Sequence, residues 1–306
     1  AGIAYATAMA GIEVVLLDTS LEAADKGKAY SAGLLEKRVS RRRMTEEKRD
    51  AVLTLIKPTT DYADLAGCEM VIEAVFEDRT VKADVTAKAE AVIGADVIFA
   101  SNTSTLPITG LAEASTRPDQ FIGLHFFSPV DKMPLVEIIM GEKSGDLALA
   151  RCMDYVKKIR KTPIVVNDSR GFYTSRVFAT YVREGLAMLG EGVKPALIEN
   201  AGRMAGMPVG PLALADEVSI SLMHHIATQT QRDVGDAYIA TPADDVVSRM
   251  VELDRVGKKA GKGFYDYPDS RDKHLWAGLG DEFPLADTQP DVDLVKRRLM
   301  YVQSVE

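Results

Sequence analysis

Met70-Val-Ile-Glu-Ala-Val-Phe-Glu-Asp78, followed by Val97-Ile-Phe-Ala-Ser-Asn-Thr-Ser104, decides the fold. Each segment is an apolar run of strand length that passes into small polar or acidic residues, as strands buried on both faces of a sheet do. Between them Val81, Val85, Ala89 and Val92 recur at helical spacing and predict a helix that buries this face. Strand, helix and strand in this order mean a parallel sheet with crossover helices.

The same grammar extends in both directions. Upstream, residues 13–18 form an apolar run ending in Asp18 and read as another buried parallel strand. Small residues such as Ala4 and Ala8 make an opening helix that stops at Gly11, a left-handed cap, and Thr19 or Ser20 caps a charged helix beginning near Leu21. Downstream, strands are expected over 121–127 and 135–140 around a loop holding Pro129 and Pro134, then a helix over 147–159 and a last strand over 163–166. From Ser169 onward strand signals stop, and helices are expected over 172–189, 195–204, 212–228 and 244–253. The border falls at Asn167 and Asp168, giving an α/β unit over 1–167 and an all-helical unit over 168–290. Two domains also suit a length of 306 residues.

Composition narrows the function class. With 46% hydrophobic, 27% charged and 7% aromatic residues the chain is a globular protein, neither disordered nor fibrous. A net charge of −8, from 37 basic and 45 acidic residues, has the wrong sign for nucleic-acid binding. No apolar run reaches the length of a membrane span. Cys68 and Cys152 cannot make a disulfide framework, so a reducing interior and a cytoplasmic location are expected. Lys37, Arg38, Arg41, Arg42 and Arg43 form a basic run that reads as a solvated helix face. The chain opens without an initiator methionine, already inside a helix.

Ligands of open α/β sheets bind outside the carboxyl ends of the strands. Asp18 stands at such an end, where a Rossmann fold grips a dinucleotide ribose; by itself it is equally a strand-terminal carboxylate. The Gly-rich turn of that fingerprint would lie before Ala1. The chain has four histidines. A histidine such as His125, on a strand, has a pKa suited to a general base, but on periodicity alone a packed structural histidine is the commoner reading.

Five ordered motifs then point one way. Glu73-Ala-Val-Phe-Glu-Asp78, Ser101-Asn-Thr-Ser104, Gly123-Leu-His-Phe-Phe-Ser-Pro129, Pro134-Leu-Val-Glu137 and Gly261-Lys-Gly-Phe-Tyr265 resemble, in order and spacing, the 3-hydroxyacyl-CoA dehydrogenase family, including the dehydrogenase part of the multifunctional fatty-acid oxidation enzymes. The resemblance implies a Rossmann-type NAD-binding domain followed by a helical domain, and NAD-dependent oxidation of L-3-hydroxyacyl-CoA to 3-oxoacyl-CoA. It also implies that the first strand and Gly-rich loop belong before Ala1, so that NAD binding by these residues alone is weakened. The match of residues 176–184 to 298–306 makes 291–306 the start of a second helical repeat.

Residue by residue, Asp18 resembles the adenosine-ribose carboxylate, and Ala74, Glu77 and Lys82 resemble positions lining the cofactor. Ser104 and Ser128 resemble those near the nicotinamide. His125 takes the place of the catalytic base and Glu137 that of the carboxylate orienting it. Ser104 and Ser175 match substrate-binding positions. Ser128 and Ser175 stand where the family carries Asn, with a shorter reach. No metal is implied. An acyl-CoA is the implied substrate, and a thiolase subunit or a homodimer through the helical domain the implied assembly. The alternatives are a non-catalytic assembly module and a stand-alone 3-hydroxybutyryl-CoA dehydrogenase. Met204 and Met207 read as core, and Lys258, Lys259 and Lys262 equally as a solvated turn or a loop near CoA phosphates, so no site is assigned there.

Overall fold

The computed structural model describes residues 1–269 and 272–305, in two compact units, 1–173 and 174–306. Glu306, the last residue of the repeat expected from sequence, lies outside the described residues.

The first unit opens with α1 (Gly2–Met9). Gly11, at φ +77°, turns the chain: its N–H donates to Ala8 O and that of Ile12 to Thr7 O, closing the helix with a left-handed cap. β1 (Val14–Leu17) follows, then α2 (Leu21–Ser40), whose N-cap Ser20 accepts from Ala23 N, α3 (Glu46–Thr54) and β2 (Ile56–Thr59). β2 is invisible to the apolar pattern because Pro58 interrupts it. Among the described residues it pairs only with β1, in parallel, so its other edge needs no N–H from Pro58.

A five-stranded sheet carries the rest of the unit: β3 (Met70–Glu73), β4 (Ile98–Ser101), β5 (Phe121–Phe126), β6 (Leu135–Met140) and β7 (Thr162–Asn167), in that spatial order. All neighbours are parallel except β5 and β6. Their connection, 127–134, is too short for a parallel crossover, so the chain must return antiparallel. α4 (Arg79–Glu90), α5 (Ile108–Ala112) and α6 (Asp146–Lys158) complete the unit. The sheet's side chains alternate between two cores, one holding Phe99 and Phe121, stacked at 5.4 Å, the other holding Ile98, Ile122, Leu124 and Ile138 against Ala148, Cys152 and Val156 of α6.

α4 is rotated from the expected face. Val81 is 41% exposed, while Lys82, Thr86 and Ala89 are buried. An ion pair inside the unit, described below, draws the lysine inward. The segment 168–173 also belongs to the first unit: the Asp168 carboxylate accepts from Ile108 N and Thr109 N at the start of α5, and Phe172 is buried beside Phe99 and Phe121.

The second unit contains α7 (Thr174–Gly190), α8 (Pro195–Met204), α9 (Pro211–Val218), α10 (Ile220–Val234), α11 (Pro242–Glu252), α12 (Leu279–Glu282) and α13 (Val292–Val305). The single helix expected over 212–228 is broken at Ser219, at φ +93°, whose hydroxyl accepts from Leu222 N and caps α10. The unit is also not purely helical: β8 (Tyr265–Asp266) and β9 (His274–Leu275) form a short antiparallel hairpin. Met204 is 61% exposed rather than core, while Met207 packs against the core. α13 packs on α7 and α8 with Val295 and Leu299 fully buried, and Arg298 pairs with Glu184 and Glu191.

The Gly261–Tyr265 motif is a structural knot around Asp216 of α9. Asp216 Oδ1 accepts from Phe264 N, and Oδ2 from Tyr265 N and Tyr267 Oη. A Cβ on Gly263 would stand 1.9 Å from Asp216 Oδ1, so this position admits only glycine. Arg255 donates to the carbonyls of Gly263 and Tyr265 while lying 4.1 Å from the Trp276 ring. Lys258 and Lys262 pair with Glu217 and Asp254 on the outside of the turn. Asp216→Asn puts an amide N–H₂ where only acceptors fit, and should lower the second unit's stability by about 2 kcal/mol or more. Chemical denaturation followed by Trp276 fluorescence measures this, with unchanged stability counting against the knot.

Candidate active site

The antiparallel register of β5 and β6 sets His125 directly opposite Glu137. His125 Nδ1 lies 2.8 Å from Glu137 Oε2, with His125 6% exposed and Glu137 fully buried. A buried carboxylate needs partners, and the second oxygen, Oε1, accepts from Tyr173 N at 3.2 Å. The imidazole is wedged by two aromatic rings, Phe127 at 4.5 Å and Phe172 at 6.0 Å between centroids. With Nδ1 committed to the carboxylate, Nε2 is the nitrogen left for chemistry.

Next to this pair, the chain beyond β4 is shaped by one carboxylate. Glu77 Oε1 accepts from Thr103 Oγ1 at 2.6 Å, Ser104 N at 3.0 Å, Thr105 N at 3.2 Å and Thr105 Oγ1 at 3.1 Å. Burial opposes ionisation of Glu77, but the hydrogen bond from Thr103, the charge of Lys82 and the two backbone amides outweigh it and hold the carboxyl below its usual range. Asn102 then ties this turn to the histidine strand: its Oδ1 accepts from Phe126 N at 2.8 Å. Asn102 sits inside the Ser101–Ser104 motif, yet polarity at a strand end does not say which of its members faces the neighbouring strand.

The other expected residues distribute as follows. Asp18 lies exposed just past β1; its Oδ1 accepts from Thr19 N, and among the described residues its Oδ2 accepts nothing. Ala74, small and exposed, follows β3, and Ser104 is exposed past β4. All three stand at carboxyl ends of strands in the first unit. Ser128 is exposed in the loop after β5. Lys82 does not line an open surface: it is 2% exposed, with Nζ 3.0 Å from Glu73 Oε1 and 3.4 Å from Glu77 Oε2. Ser175 belongs to the second unit, in the first turn of α7. His224 and His225 lie on α10, and His274 Nε2 is 3.7 Å from Asp266. Among the described residues no cluster of His, Cys, Asp and Glu could hold a metal ion.

The first unit is thus mixed α/β, with small polar and acidic groups at its strand ends and a buried His–Glu pair, and the second is largely helical. The NAD-binding domain of 3-hydroxyacyl-CoA dehydrogenase matches residues 1–169, and the C-terminal domain of 3-hydroxyacyl-CoA dehydrogenase matches residues 171–267. The chain belongs to the 3-hydroxyacyl-CoA dehydrogenase family, and its first unit is an NAD-binding domain. It is 42% identical over 267 residues to the fatty acid oxidation complex subunit alpha of Shewanella baltica, a match covering 87% of this chain and 37% of that protein. The chain thus spans little more than a third of the length of such curated relatives. Among solved structures it is similar to (S)-3-hydroxybutyryl-CoA dehydrogenase from Ralstonia eutropha, with TM-score 0.81 and 35% identity, covering 88% of this chain and 95% of that one. A 3-hydroxybutyryl-CoA dehydrogenase from Escherichia coli K12 also gives TM-score 0.81, at 30% identity, covering 89% of this chain and 58% of that one.

The His–Glu geometry makes a spectroscopic prediction. Neutral His125 should hold its proton on Nδ1, toward Glu137, and nitrogen-resolved NMR of the imidazole should show this tautomer. Glu137→Leu removes the acceptor and should abolish the preference; a preference that survives the substitution contradicts the geometry.

Proposed function

We propose that these residues carry out reversible oxidation of an L-3-hydroxyacyl-CoA to the 3-oxoacyl-CoA in fatty-acid β-oxidation, with His125 as the base and Glu137 orienting it. The observation that carries this reading is the buried His125–Glu137 pair, with Nδ1 held at 2.8 Å from the carboxylate. NAD, when bound, supplies the hydride acceptor. His125 Nε2 takes the proton from the substrate hydroxyl as the alcohol becomes a ketone, and the imidazolium so formed is stabilised by Glu137. Glu137 stays in place because it is buried and hydrogen-bonded to Tyr173 N as well. In the reverse direction His125 returns the proton.

The residues of the first unit suit NAD. The unpartnered oxygen of Asp18 offers an acceptor to a ribose hydroxyl and would repel a 2′-phosphate, favouring NAD over its phosphorylated form. Ala74 admits close approach at the end of β3, and Ser104 and Ser128 present hydroxyls for the nicotinamide side. Ser104 would also donate to the substrate oxygen.

An acyl-CoA is the substrate class, and association with a second copy through the helical unit is supported by exposed apolar residues on and beside α10: Leu222, Ile226, Val234 and Ile239. A thiolase subunit is the other assembly partner in this reading. Free Cys68 and Cys152 suit a reducing, cytoplasmic setting, and among the described residues no helix is long and apolar enough to cross a membrane.

The test is turnover of a 3-oxoacyl-CoA with NADH in the protein that carries these residues. His125→Gln should lower kcat by about 10²–10⁴-fold, with NADH affinity, measured by calorimetry, unchanged. Undiminished turnover would overturn the role of His125.

A further inference from the structure

We propose that Lys161 is a positioning residue for the cofactor side of this site: its ammonium grips the carbonyls of Val130 and Met133 and so holds the 127–134 loop, which carries Ser128, against the first turn of α1. The proposal rests on the functional reading above for the role of Ser128, but its test is independent of turnover.

Lys161 Nζ donates to Val130 O at 2.6 Å and to Met133 O at 2.6 Å. The loop is wound into one tight turn, in which Pro129 O accepts from Lys132 N at 3.0 Å and from Met133 N at 3.1 Å. Among the described residues no backbone N–H donates to Val130 O or Met133 O, so the ammonium supplies what the chain itself does not. Burial lowers the pKa of Lys161, and the charge of Asp131 on the same loop opposes this. The ammonium is therefore partly withdrawn from water, where its bonds to the two carbonyls count for more.

The lysine reaches the loop from a fixed base. Arg160, at φ +60°, ends α6 in the left-handed region, with Arg160 N donating to Lys157 O and Lys161 N to Val156 O. One residue on, Thr162 N donates to Pro134 O and β7 enters its register with β6. At the far side of the loop Val130 lies on Gly2, where a Cβ would stand 2.9 Å from Val130 Cβ and 3.0 Å from its Cγ2. In a Rossmann-type unit the opening helix receives the dinucleotide phosphates at its start. The loop would thus border the cofactor twice, through Val130 beside the start of α1 and through Ser128 on the nicotinamide side. Released from the lysine, Val130 O would turn to water and draw the loop away from Gly2.

NMR and calorimetry on the protein that carries these residues test this. With the loop in place a Val130 methyl should give a nuclear Overhauser contact to the Gly2 α-protons. Lys161→Met keeps the stem and removes the donors. It should lose this contact and raise the Kd for NADH at least about fivefold, near the worth of one hydrogen bond. The Nδ1 tautomer of His125 should persist, since the β5–β6 register does not involve the lysine. Lys161→Arg returns a cation with several donors, and should keep the contact and hold the Kd for NADH within about threefold. A contact that survives Lys161→Met overturns the proposal, as does an unaltered Kd for NADH once the contact is lost. If Lys161→Met also loses amide-exchange protection at Ile138 and Val165, paired across β6 and β7, Lys161→Gln decides on the same two readouts. A lost contact with weaker NADH binding then supports the proposal, and unaltered values overturn it. A protein that behaves in this way yet fails to reduce a 3-oxoacyl-CoA overturns the functional reading and leaves the role of Lys161 standing, so the two failures are told apart.

Discussion

The antiparallel return of residues 135–140 beside 121–126 is the constraint on which the site depends. An otherwise parallel sheet offers no way for two neighbours in sequence to face each other across one ladder, because parallel partners need a long crossover. Reversing one strand puts His125 and Glu137 opposite one another at the sheet's centre, with β4 on one side and β7 on the other. Both backbones are pinned by ladders, so the 2.8 Å contact between the side chains is set by the sheet rather than by a loop. Placing the pair on strands in this way removes most of its positional freedom.

The remainder of the structure repeats one device: a carboxylate that holds a turn by accepting its N–H and O–H groups. Glu77 does so for 103–105, Asp168 for the start of α5, Glu90 for Ser115 and Thr116, and Asp216 for 264–267. Glu199 accepts from Leu212 N and Ala213 N at the start of α9, where the helix's partial positive charge also favours an anion. Such acids are expensive to bury unless saturated with donors, and each of these is met by backbone amides in addition to side chains. A chain with an excess of acidic residues thus uses several of them internally, as brackets for loops that border the site or close the helical unit.

This is also why the sequence was readable in parts and opaque in others. Strands such as Leu135–Met140 and helices such as Pro195–Met204 announce themselves through apolar runs and helical periodicity, and the expected bounds coincide with those observed. Where polar satisfaction overrides hydrophobic pattern, periodicity misleads. Lys82 turns inward and Val81 outward because Glu73 needs a counter-charge that only the three-dimensional fold brings near. Ile56–Thr59 becomes a strand despite Pro58 because one edge suffices, and Ser219 breaks a helix with no glycine or proline to signal it. At the site, the identity of His125 and Glu137 came from their motifs; their direct opposition required the register, and the tie from Asn102 to Phe126 had no sequence signal of its own.

In the proposed reaction His125 and Glu137 act as one proton-moving unit. A double-substitution cycle on hydride transfer addresses it directly, with His125→Gln, Glu137→Gln and the two combined assayed by single-turnover reduction of a 3-oxoacyl-CoA. Members of one catalytic unit are non-additive, so the combined variant should be no slower than His125→Gln alone. Rate losses that multiply would show instead that Glu137 acts independently of the histidine.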